Sequence, residues 1–486
     1  MNHREILNRA AGSVNINRIK RIWLKLAIAA LLSSCGNSSM VPNSTASNTV
    51  ESAPVPVPSA DRNLSVIKLV NTSRLSERLI EYTFHTESLN AGFLLSASGC
   101  CSGETHVRVL LPQDYEISGD RRYPVLYLLH GGSGTYRDWT VQGNAEAVSQ
   151  PFPVIVVMPD GGFNGYYSDW YNYGAYGPPL WETFHLYELL PWIDANLRTV
   201  ASRSGRAVAG LSMGGFGTMS YAARHPDFFV AAASFSGTVD NEFDYHDGSP
   251  LDGGRPLSIW GPHETEEVRW RTHSPVHLAE NLVGLQLTLR TRNGFPSNRY
   301  GGTNPDPVEF TVHEQNVVLH DRLDSLGIAH EWIDEGPGCH CWNFWESDLQ
   351  HTLVSLQPVF ANPPAEPVPF SYTSAEPQYT VYGWRVTIER KNMEFSRLSN
   401  VRADGFVLEG SGVAQILTAP WYRPNESYEV SVSKQTAYRT STDSLGRLSL
   451  RIPLGPTNET QQYTAAALIK GTSVFKSVVS IRKMGS

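Results

Sequence analysis

The sequence has few cysteines, five among 486 residues, and none of them forms a C-x-x-C pair. This scarcity disfavours a zinc site built on closely spaced cysteines. Four of the cysteines form two tight pairs, Cys100 with Cys101 and Cys339 with Cys341. Since neighbouring cysteines bridge each other only with strain, we expect disulfides between the two pairs, which would attach the "GCHC" loop to an N-terminal strand.

The sequence also lacks long apolar runs and long basic runs. No run reaches the roughly 20 apolar residues that a membrane-spanning helix needs, so a permanent transmembrane anchor is not expected. With 39 Lys and Arg against 47 Asp and Glu, the net charge is −8. No long Lys/Arg block follows the N-terminal region, so we expect no nucleic-acid partner.

Residues 1–35 have the pattern of an export signal. Basic residues precede the short apolar run "LAIAALL", and "LSSC" ending at Cys35 resembles the bacterial lipobox. That resemblance implies that Cys35 is diacylated and anchors an exported lipoprotein to the membrane of the cell envelope; the alternative is a plain signal peptide and secretion. Residues 36–61 are rich in Ser, Asn and Pro, which predicts a flexible tether.

Residues 62–360 predict one large α/β domain. Strand-like stretches near its start are followed by apolar, strand-length runs that alternate with helical patterns. Because the strands are continuously apolar, we expect a mainly parallel sheet covered on both faces. The predicted strands are "RLIEYTF", "THVRVLLP", "YPVLYLLHGG", "PVIVVMPDGG", "RAVAGLS", "VAAASFSG", "LQLTLRTRNG" and "AHEWIDE".

Residues 361–376 are proline-rich and predict a linker. Beyond them, residues 377–486 show strands of period two separated by turn residues, which predicts a C-terminal all-β sandwich domain. No compact Ser, His and acid set is evident there. The predicted strands are "YTVYGWRVTIER", "SYEVSVSK", "GRLSLRIPL", "TAAALIKG" and "KSVVSIRK".

The clearest chemical motif is "GLSMG", from Gly210 to Gly214. It fits G-x-S-x-G, with a buried strand before it and a helix after it, the context in which this motif presents a nucleophile. Gly210 and Gly214 are expected where a Cβ would collide with nearby backbone. Ser212 is therefore the predicted nucleophile, and the Met213 amide is a predicted oxyanion donor at the helix N-terminus.

A second motif, "LLHGGSG", follows a buried strand about eighty residues before Ser212. A glycine-rich loop at this place supplies an oxyanion donor in α/β-hydrolases, so the Gly132 amide is the second predicted donor, supported by Gly131. His130 is expected to be structural, because the catalytic histidine of this fold follows the serine in sequence.

The predicted base is His340, in a glycine-rich loop between the last predicted strand and the final helix. Three other histidines, His320, His330 and His351, lie in helix or strand patterns and are interpreted as surface or packing residues. His263, His273 and His277 remain open as alternatives.

The acid stays open on the residues alone. Asp306, Glu309 and Asp240 are candidates, and an acid in the first turn of a helix, such as Glu309, also suits the helix dipole without any catalytic role.

Several stretches together point to a known family: "VLYLLHGG", "VIVVMPDGG" with "YYSDWY", "LWETFHLYELLPWIDANL", "AVAGLSMGG", "IWGP" and "GPGCHCWNFW". On these stretches, residues 105–355 resemble the esterase family of α/β-hydrolases, and in particular the antigen 85 mycolyltransferases and diacylglycerol acyltransferases. The resemblance implies the α/β-hydrolase fold. It places the nucleophile on Ser212, the base on His340, the acid on Glu309, and the oxyanion amides on Gly132 and Met213.

The chain departs from the mycolyltransferases at His130, where they have an aspartate beside the sugar-binding site, and in the loop "GSGTYRDW". We therefore expect a serine esterase that hydrolyses small-molecule or lipid esters through an acyl-enzyme. The alternatives are an acyltransferase with a sugar or glycerolipid acceptor and a non-enzymatic binding lipoprotein. No metal or organic cofactor is expected.

Overall fold

The computed structural model describes residues 67–91, 102–243, 259–297, 304–433 and 435–484. The predicted export signal and tether, including Cys35, lie outside these residues, as do Cys100 and Cys101.

A nine-stranded sheet forms the centre of the first domain, which spans residues 67–361 and is called the central-sheet domain below. Its order is β1-β2-β3-β5-β4-β6-β7-β8-β9. Pairing is antiparallel from β1 to β5 across β2 and β3, and parallel from β5 to β9. The strands are β1 Lys68–Arg74, β2 Leu79–Asn90, β3 Ser102–Leu110, β4 Val125–Leu129, β5 Ile155–Pro159, β6 Arg206–Leu211, β7 Ala231–Phe235, β8 Gln286–Thr291 and β9 Glu331–Asp334.

The described helices of this domain lie between the parallel strands, except the last one, which follows β9. They are α1 Asp138–Val141, α2 Ala145–Ser149, α3 Trp181–Thr183, a π-helical turn Phe184–Leu189, α4 Leu190–Asn196, α5 Met213–Arg224, α6 His263–His273, α7 Pro307–Ser325 and α8 Trp342–Ala361. Short 3₁₀ turns lie at Tyr115–Ile117, Asn172–Gly174, Arg203–Gly205 and Ala279–Leu282. Within the described residues, no helix combines the length and apolarity needed to cross a membrane.

The central strands are buried on both faces. In β4, Val125, Tyr127 and Leu129 belong to one apolar core, while Leu126 and Leu128 belong to the other. Successive side chains of a strand point to opposite faces, so a continuously apolar strand needs cover on both sides. The predicted mainly parallel sheet, covered on both faces, is confirmed.

The second domain, residues 370–484, consists of two antiparallel sheets and is called the two-sheet domain below. The six-stranded sheet has the order β10-β13-β14-β19-β16-β17 and the four-stranded sheet β11-β12-β15-β18. Alternate residues of both sheets contribute to one shared apolar core. The elements are β10 Phe370–Ser374, β11 Gln378–Val381, β12 Trp384–Glu389, β13 Ser396–Arg402, β14 Gly405–Gly410, β15 Gly412–Leu417, β16 Ser427–Val432, β17 Tyr438–Ser441, β18 Ser449–Gly455, α9 Ala465–Lys470 and β19 Phe475–Lys483.

Two local predictions for this region were wrong. The stretch 361–376, predicted as a linker, contains strand β10, which pairs with β13. The stretch "TAAALIKG", predicted as a strand, forms helix α9, with the Thr464 hydroxyl accepting the Ala467 amide at 3.2 Å. A threonine cap followed by three alanines favours a helix over the weak period-two pattern.

Charged groups join the two domains at the end of α5. The buried Arg224 guanidinium donates to Glu182 at 2.9 and 3.1 Å and to Glu376 of the two-sheet domain at 3.3 Å. The Tyr372 hydroxyl donates to the Arg224 carbonyl at 2.6 Å. Burial opposes the charge on Arg224, but Glu182 and Glu376 outweigh it and raise its pKa above its usual range. The helix that follows Ser212 is thus attached to the second domain.

Replacing Arg224 by Met should lower the free energy of unfolding by about 3–5 kcal/mol, because the buried Glu182 carboxylate loses its main counter-charge. The matched control is Arg397→Met. Arg397 also joins the domains, through Glu280 at 2.7 Å, but these side chains are 38% and 37% exposed, so the loss should stay within about 1 kcal/mol. Urea unfolding measures both; equal small losses would contradict the importance of the buried contact.

Candidate active site

Ser212 lies at the sharp turn between β6 and α5. Its backbone has φ 53° and ψ −121°, an uncommon conformation for a residue with a side chain. The turn is fixed by β7 and the segment after it: the Ser212 amide donates to the Phe235 carbonyl at 3.0 Å, and its carbonyl accepts from the Thr238 amide at 3.2 Å. The side chain is partly exposed, so the turn presents a hydroxyl at the carboxyl edge of the sheet.

Glycines on either side of Ser212 permit this turn. A Cβ on Gly210 would lie 2.4 Å from the Gly214 carbonyl oxygen, and one on Gly214 would lie 2.5 Å from the Leu129 carbonyl oxygen. These separations are well inside van der Waals contact. Both positions therefore require glycine, since the backbone of β4 and of the turn leaves no room for a side chain.

The glycine loop after β4 adjoins the serine. A Cβ on Gly131 would lie 3.3 Å from Ser212 Cβ, and one on Gly132 would lie 3.9 Å from Met213 Cβ and 3.1 Å from Asn164 Oδ1. Met213 is the first residue of α5, where an amide has no partner within the helix. The two predicted oxyanion residues, Gly132 and Met213, are thus neighbours beside Ser212.

His130 holds the glycine loop in place. It is 1% exposed, its Nε2 accepts the Gly161 amide at 2.8 Å, and its Nδ1 donates to the Gly131 carbonyl at 2.8 Å. The same Nε2 lies 3.4 Å from Asp160 Oδ1. These contacts connect the loop after β4 with the loop after β5, in keeping with a structural role.

His340 pairs with Glu309. The imidazole Nδ1 and Glu309 Oε2 are 2.7 Å apart, although the two residues are 31 positions apart in the chain. A carboxylate at Nδ1 sets the tautomer in which Nε2 carries the free electron pair, as a general base requires. In the part of the chain that the structure describes, no hydrogen bond joins Ser212 Oγ to His340; such bonds often form fully only when substrate is bound.

The Glu309 carboxylate is fully buried and its other oxygen is also satisfied. Oε1 accepts from the Ser236 hydroxyl at 2.7 Å, the Arg292 amide at 2.7 Å and the Thr291 hydroxyl at 3.3 Å. A buried carboxylate is costly unless hydrogen-bonded. Ser236 directly follows β7, Thr291 ends β8 and Arg292 follows it, so Glu309 contacts the ends of two neighbouring strands.

Asp306 and Asp240, the other acids considered, have different contacts. Asp306 caps α7: its Oδ1 accepts the amides of Val308 and Glu309 at 3.0 and 3.1 Å, while its Oδ2 accepts the His340 amide at 2.8 Å. Asp240 Oδ1 accepts the Glu242 amide at 3.2 Å. Among the three acids, Glu309 is the one that contacts the His340 ring. Asp306 accepts the backbone amides of both Glu309 and His340.

The loop that carries His340 is closed by a disulfide between Cys339 and Cys341, whose Cα atoms are 5.4 Å apart. The expected disulfides from these residues to Cys100 and Cys101 are therefore wrong in this structure, because each sulfur of the "GCHC" pair already has a partner. Trp345 packs edge-on against the His340 ring with centroids 4.8 Å apart. The disulfide and Trp345 restrict where the imidazole can lie.

The remaining histidines lie elsewhere. His273 is buried, and burial with the charge of Arg224 lowers its pKa to about 3. His277 packs against Phe395 of the two-sheet domain with ring centroids 4.7 Å apart, and burial with the charge of Arg271 lowers its pKa to about 4. His263 packs against Trp270 at 5.5 Å, and His351 is exposed on α8.

A buried charge network behind the site was missed in the sequence. The fully buried Arg292 guanidinium donates to Asp348 on α8 at 2.5 and 2.7 Å and to Glu335 after β9 at 3.0 Å. Burial lowers the pKa of Arg292, but Asp348 and Glu335 outweigh it and the net shift is upward. Two closely spaced arginines, Arg290 in β8 and Arg292 directly after it, were the available signal, since a buried arginine needs acidic partners.

Comparison with known proteins identifies the family of the chain. The family model described as "Putative esterase" matches residues 98–356. Esterase Rv1288 of Mycobacterium tuberculosis is 35% identical over 319 residues, which is 62% of this chain and 64% of that protein. The chain thus spans less than two thirds of that relative's length.

Two further proteins show the range of similar chains. The diacylglycerol acyltransferase/mycolyltransferase Ag85B of Mycobacterium leprae is 33% identical over 264 residues, covering 49% of this chain and 79% of that protein. Among solved structures, an S-formylglutathione hydrolase from Agrobacterium tumefaciens aligns with 16% identity and a TM-score of 0.45, covering 59% of this chain and 98% of that one.

Replacing Asp306 by Ala should lower the free energy of unfolding by about 2 kcal/mol, because the helix cap and the acceptor of the His340 amide are lost together. The matched control is Thr464→Ala, which removes the cap of α9 and a local bond to the Gln461 carbonyl, and should cost about 1 kcal/mol. Chemical denaturation of both variants checks this. Equal losses would show that the contact between Asp306 and the His340 loop adds nothing to stability.

Proposed function

The chain belongs to the Putative esterase family, and on that premise we propose that it is a serine hydrolase that cleaves carboxylic esters through an acyl-enzyme. The observation that carries the proposal is the pairing of His340 with the buried Glu309 on the same sheet edge as the strained turn at Ser212. We assign the central-sheet domain to the α/β-hydrolase fold and the two-sheet domain to a β-sandwich, which the shared core of its two sheets supports.

In the first step, Ser212 Oγ attacks the ester carbonyl carbon while His340 Nε2 takes the hydroxyl proton. The Glu309 carboxylate stabilises the resulting imidazolium. Its Oε2 lies 2.7 Å from His340 Nδ1 and accepts the Nδ1 proton in a hydrogen bond. The positive φ of Ser212 lifts its side chain away from the helix, and the strain is held by the bonds to Phe235 and Thr238.

The negative charge that develops on the carbonyl oxygen meets the amides of Gly132 and Met213. Backbone amides need no reorganisation during the reaction, so two of them can lower the barrier by several kcal/mol. The proximity of Gly132 to Met213 and the contacts of His130 with Gly131 and Gly161 support this assignment.

Collapse of the tetrahedral intermediate breaks the ester C–O bond, and His340 returns its proton to the departing alcohol. A water molecule then attacks the acyl-enzyme with His340 again as base, releasing the acid and restoring Ser212. The chemistry uses side chains and backbone amides alone, so the proposal requires no cofactor.

Acyl transfer is the second candidate function. The 33% identity with a diacylglycerol acyltransferase/mycolyltransferase over 79% of that protein supports it. The same acyl-enzyme would then pass its acyl group to an alcohol in place of water. Substrates of either reaction are small-molecule or lipid esters. We favour hydrolysis because the glycine loop, with His130, departs from the mycolyltransferase pattern.

Location at the cell envelope is part of the proposal. The basic residues, short apolar run and "LSSC" of residues 1–35 support export with lipidation at Cys35, and the Ser/Asn/Pro-rich residues 36–61 support a tether between the lipid and the enzyme.

Kinetics on p-nitrophenyl esters from acetyl to long-chain test the catalytic set. Ser212→Ala should lower kcat/KM by at least about 10⁴-fold, and Glu309→Gln by about 10²–10⁴-fold, since the amide no longer stabilises the imidazolium. Ser325→Ala, at an exposed position on α7, is the matched control and should keep full activity.

Full activity of Ser212→Ala would contradict the proposed nucleophile.

Adding glycerol or a sugar to the wild-type reaction separates the two functions: a hydrolase continues to release free acid, whereas an acyltransferase yields the new ester at the expense of the acid.

A further inference from the structure

A group of metal-ligating side chains lies away from the active site, at the C-terminal end of α7. One ring nitrogen of His320, one of His330 and a carboxylate oxygen of Asp324 all lie within 4.8 Å of one another. His320 Nδ1 and His330 Nε2 are 2.7 Å apart, and His320 Nε2 is 3.7 Å from Asp324 Oδ2. Two of these residues belong to α7, and His330 directly precedes β9.

The contacts of His330 orient its ring. Its Nδ1 lies 2.8 Å from the Ile328 carbonyl oxygen, which can only accept, so Nδ1 donates there. Its Nε2 faces His320 at 2.7 Å. Metal-binding histidines commonly have this arrangement, in which one ring nitrogen donates to a carbonyl and the other faces the ion.

His320 is also held in position. Its ring stacks on Trp332 of β9 with centroids 4.7 Å apart and an interplanar angle of 6°. With His330 Nε2 on one side and the Asp324 carboxylate on the other, His320 lies between two groups that both present electron pairs. A neutral imidazole has one N–H and can donate to only one of these two groups. One nitrogen of His320, one of His330 and one Asp324 carboxylate oxygen lie close enough together to share a single divalent cation.

We propose that His320, Asp324 and His330 bind a divalent transition-metal ion, with Zn²⁺ as the best match. Two imidazole nitrogens and one carboxylate oxygen suit zinc at about 2.0–2.2 Å and leave a fourth position for solvent. Metal binding requires the two imidazole nitrogens to separate from 2.7 Å to roughly 3.3 Å, which follows from tetrahedral angles at these bond lengths. Asp324 is 65% exposed, so an ion can enter from solvent.

The ion would be structural. Eleven residues of one helix separate His320 from Glu309, about 16 Å along the axis, which is too far for contact with an ester at Ser212. It would connect the end of α7 with the start of β9. An ion that binds only the folded state stabilises that state by mass action.

Titration of Zn²⁺ into the metal-free full-length chain, followed by calorimetry, tests the site. We expect saturable binding, absent with Mg²⁺, and a rise in Tm of roughly 2–4 °C at saturation. His330→Gln should weaken Zn²⁺ binding at least about tenfold and abolish the Tm rise. His351→Gln, an exposed histidine on α8 outside the group, is the matched control and should bind as the wild type does.

A further variant distinguishes this group from a second one. Glu242, His263 and Glu267 also lie within reach of a single ion, so Glu267→Gln should leave Zn²⁺ binding unchanged. The proposal is overturned if wild type and His330→Gln bind Zn²⁺ equally, or if Glu267→Gln removes the binding. Thermal unfolding of each variant without metal verifies that it is folded.

Discussion

The hydrogen bonds of the buried Glu309 carboxylate are the constraint on which the site depends. One oxygen meets His340, and the other accepts from groups that follow β7 and β8. Four segments are therefore fixed relative to one another by one side chain: two strand ends, the first turn of α7 and the loop before α8. Because a carboxylate without water must be fully satisfied, displacing any one of these segments is costly.

The surrounding structure protects that arrangement. Asp306 holds the helix that carries Glu309 and the backbone of His340 together, while Arg292 secures the end of β8 to α8 through Asp348. On the other side of the sheet edge, the turn at Ser212 depends on glycines that allow β4 and α5 to approach closely. Arg224 then attaches the far end of α5 to the two-sheet domain. The strained backbone turn at Ser212 is thus held in place by contacts on several sides.

Features that depend on residues close together in the chain could be predicted from the sequence, whereas contacts between distant residues could not. The parallel sheet and the serine turn rest on contiguous residues, so their patterns were readable. The acid partner of His340 was not determined by the residues alone, because it depends on a contact across 31 positions; the family resemblance selected Glu309 among three acids. Strand β10 was missed because it lies in a proline-rich stretch and depends on pairing with β13. Helix α9 was predicted as a strand because the alternation of apolar residues was given more weight than the Thr464 cap. The spacing of the two cysteines argued against a Cys339–Cys341 bond, which depends on the local geometry of the loop.

The central claim is that Ser212 is an activated nucleophile, and labelling tests it most directly. An alkyl fluorophosphonate phosphonylates activated serines with loss of fluoride, and trypsin then releases the peptide 207–224, which contains Ser212 and Ser220. The account predicts one phosphonyl group, located on Ser212 by fragmentation and absent from His340→Ala protein. A folded chain that stays unlabelled, or that carries the label on another serine, would contradict it.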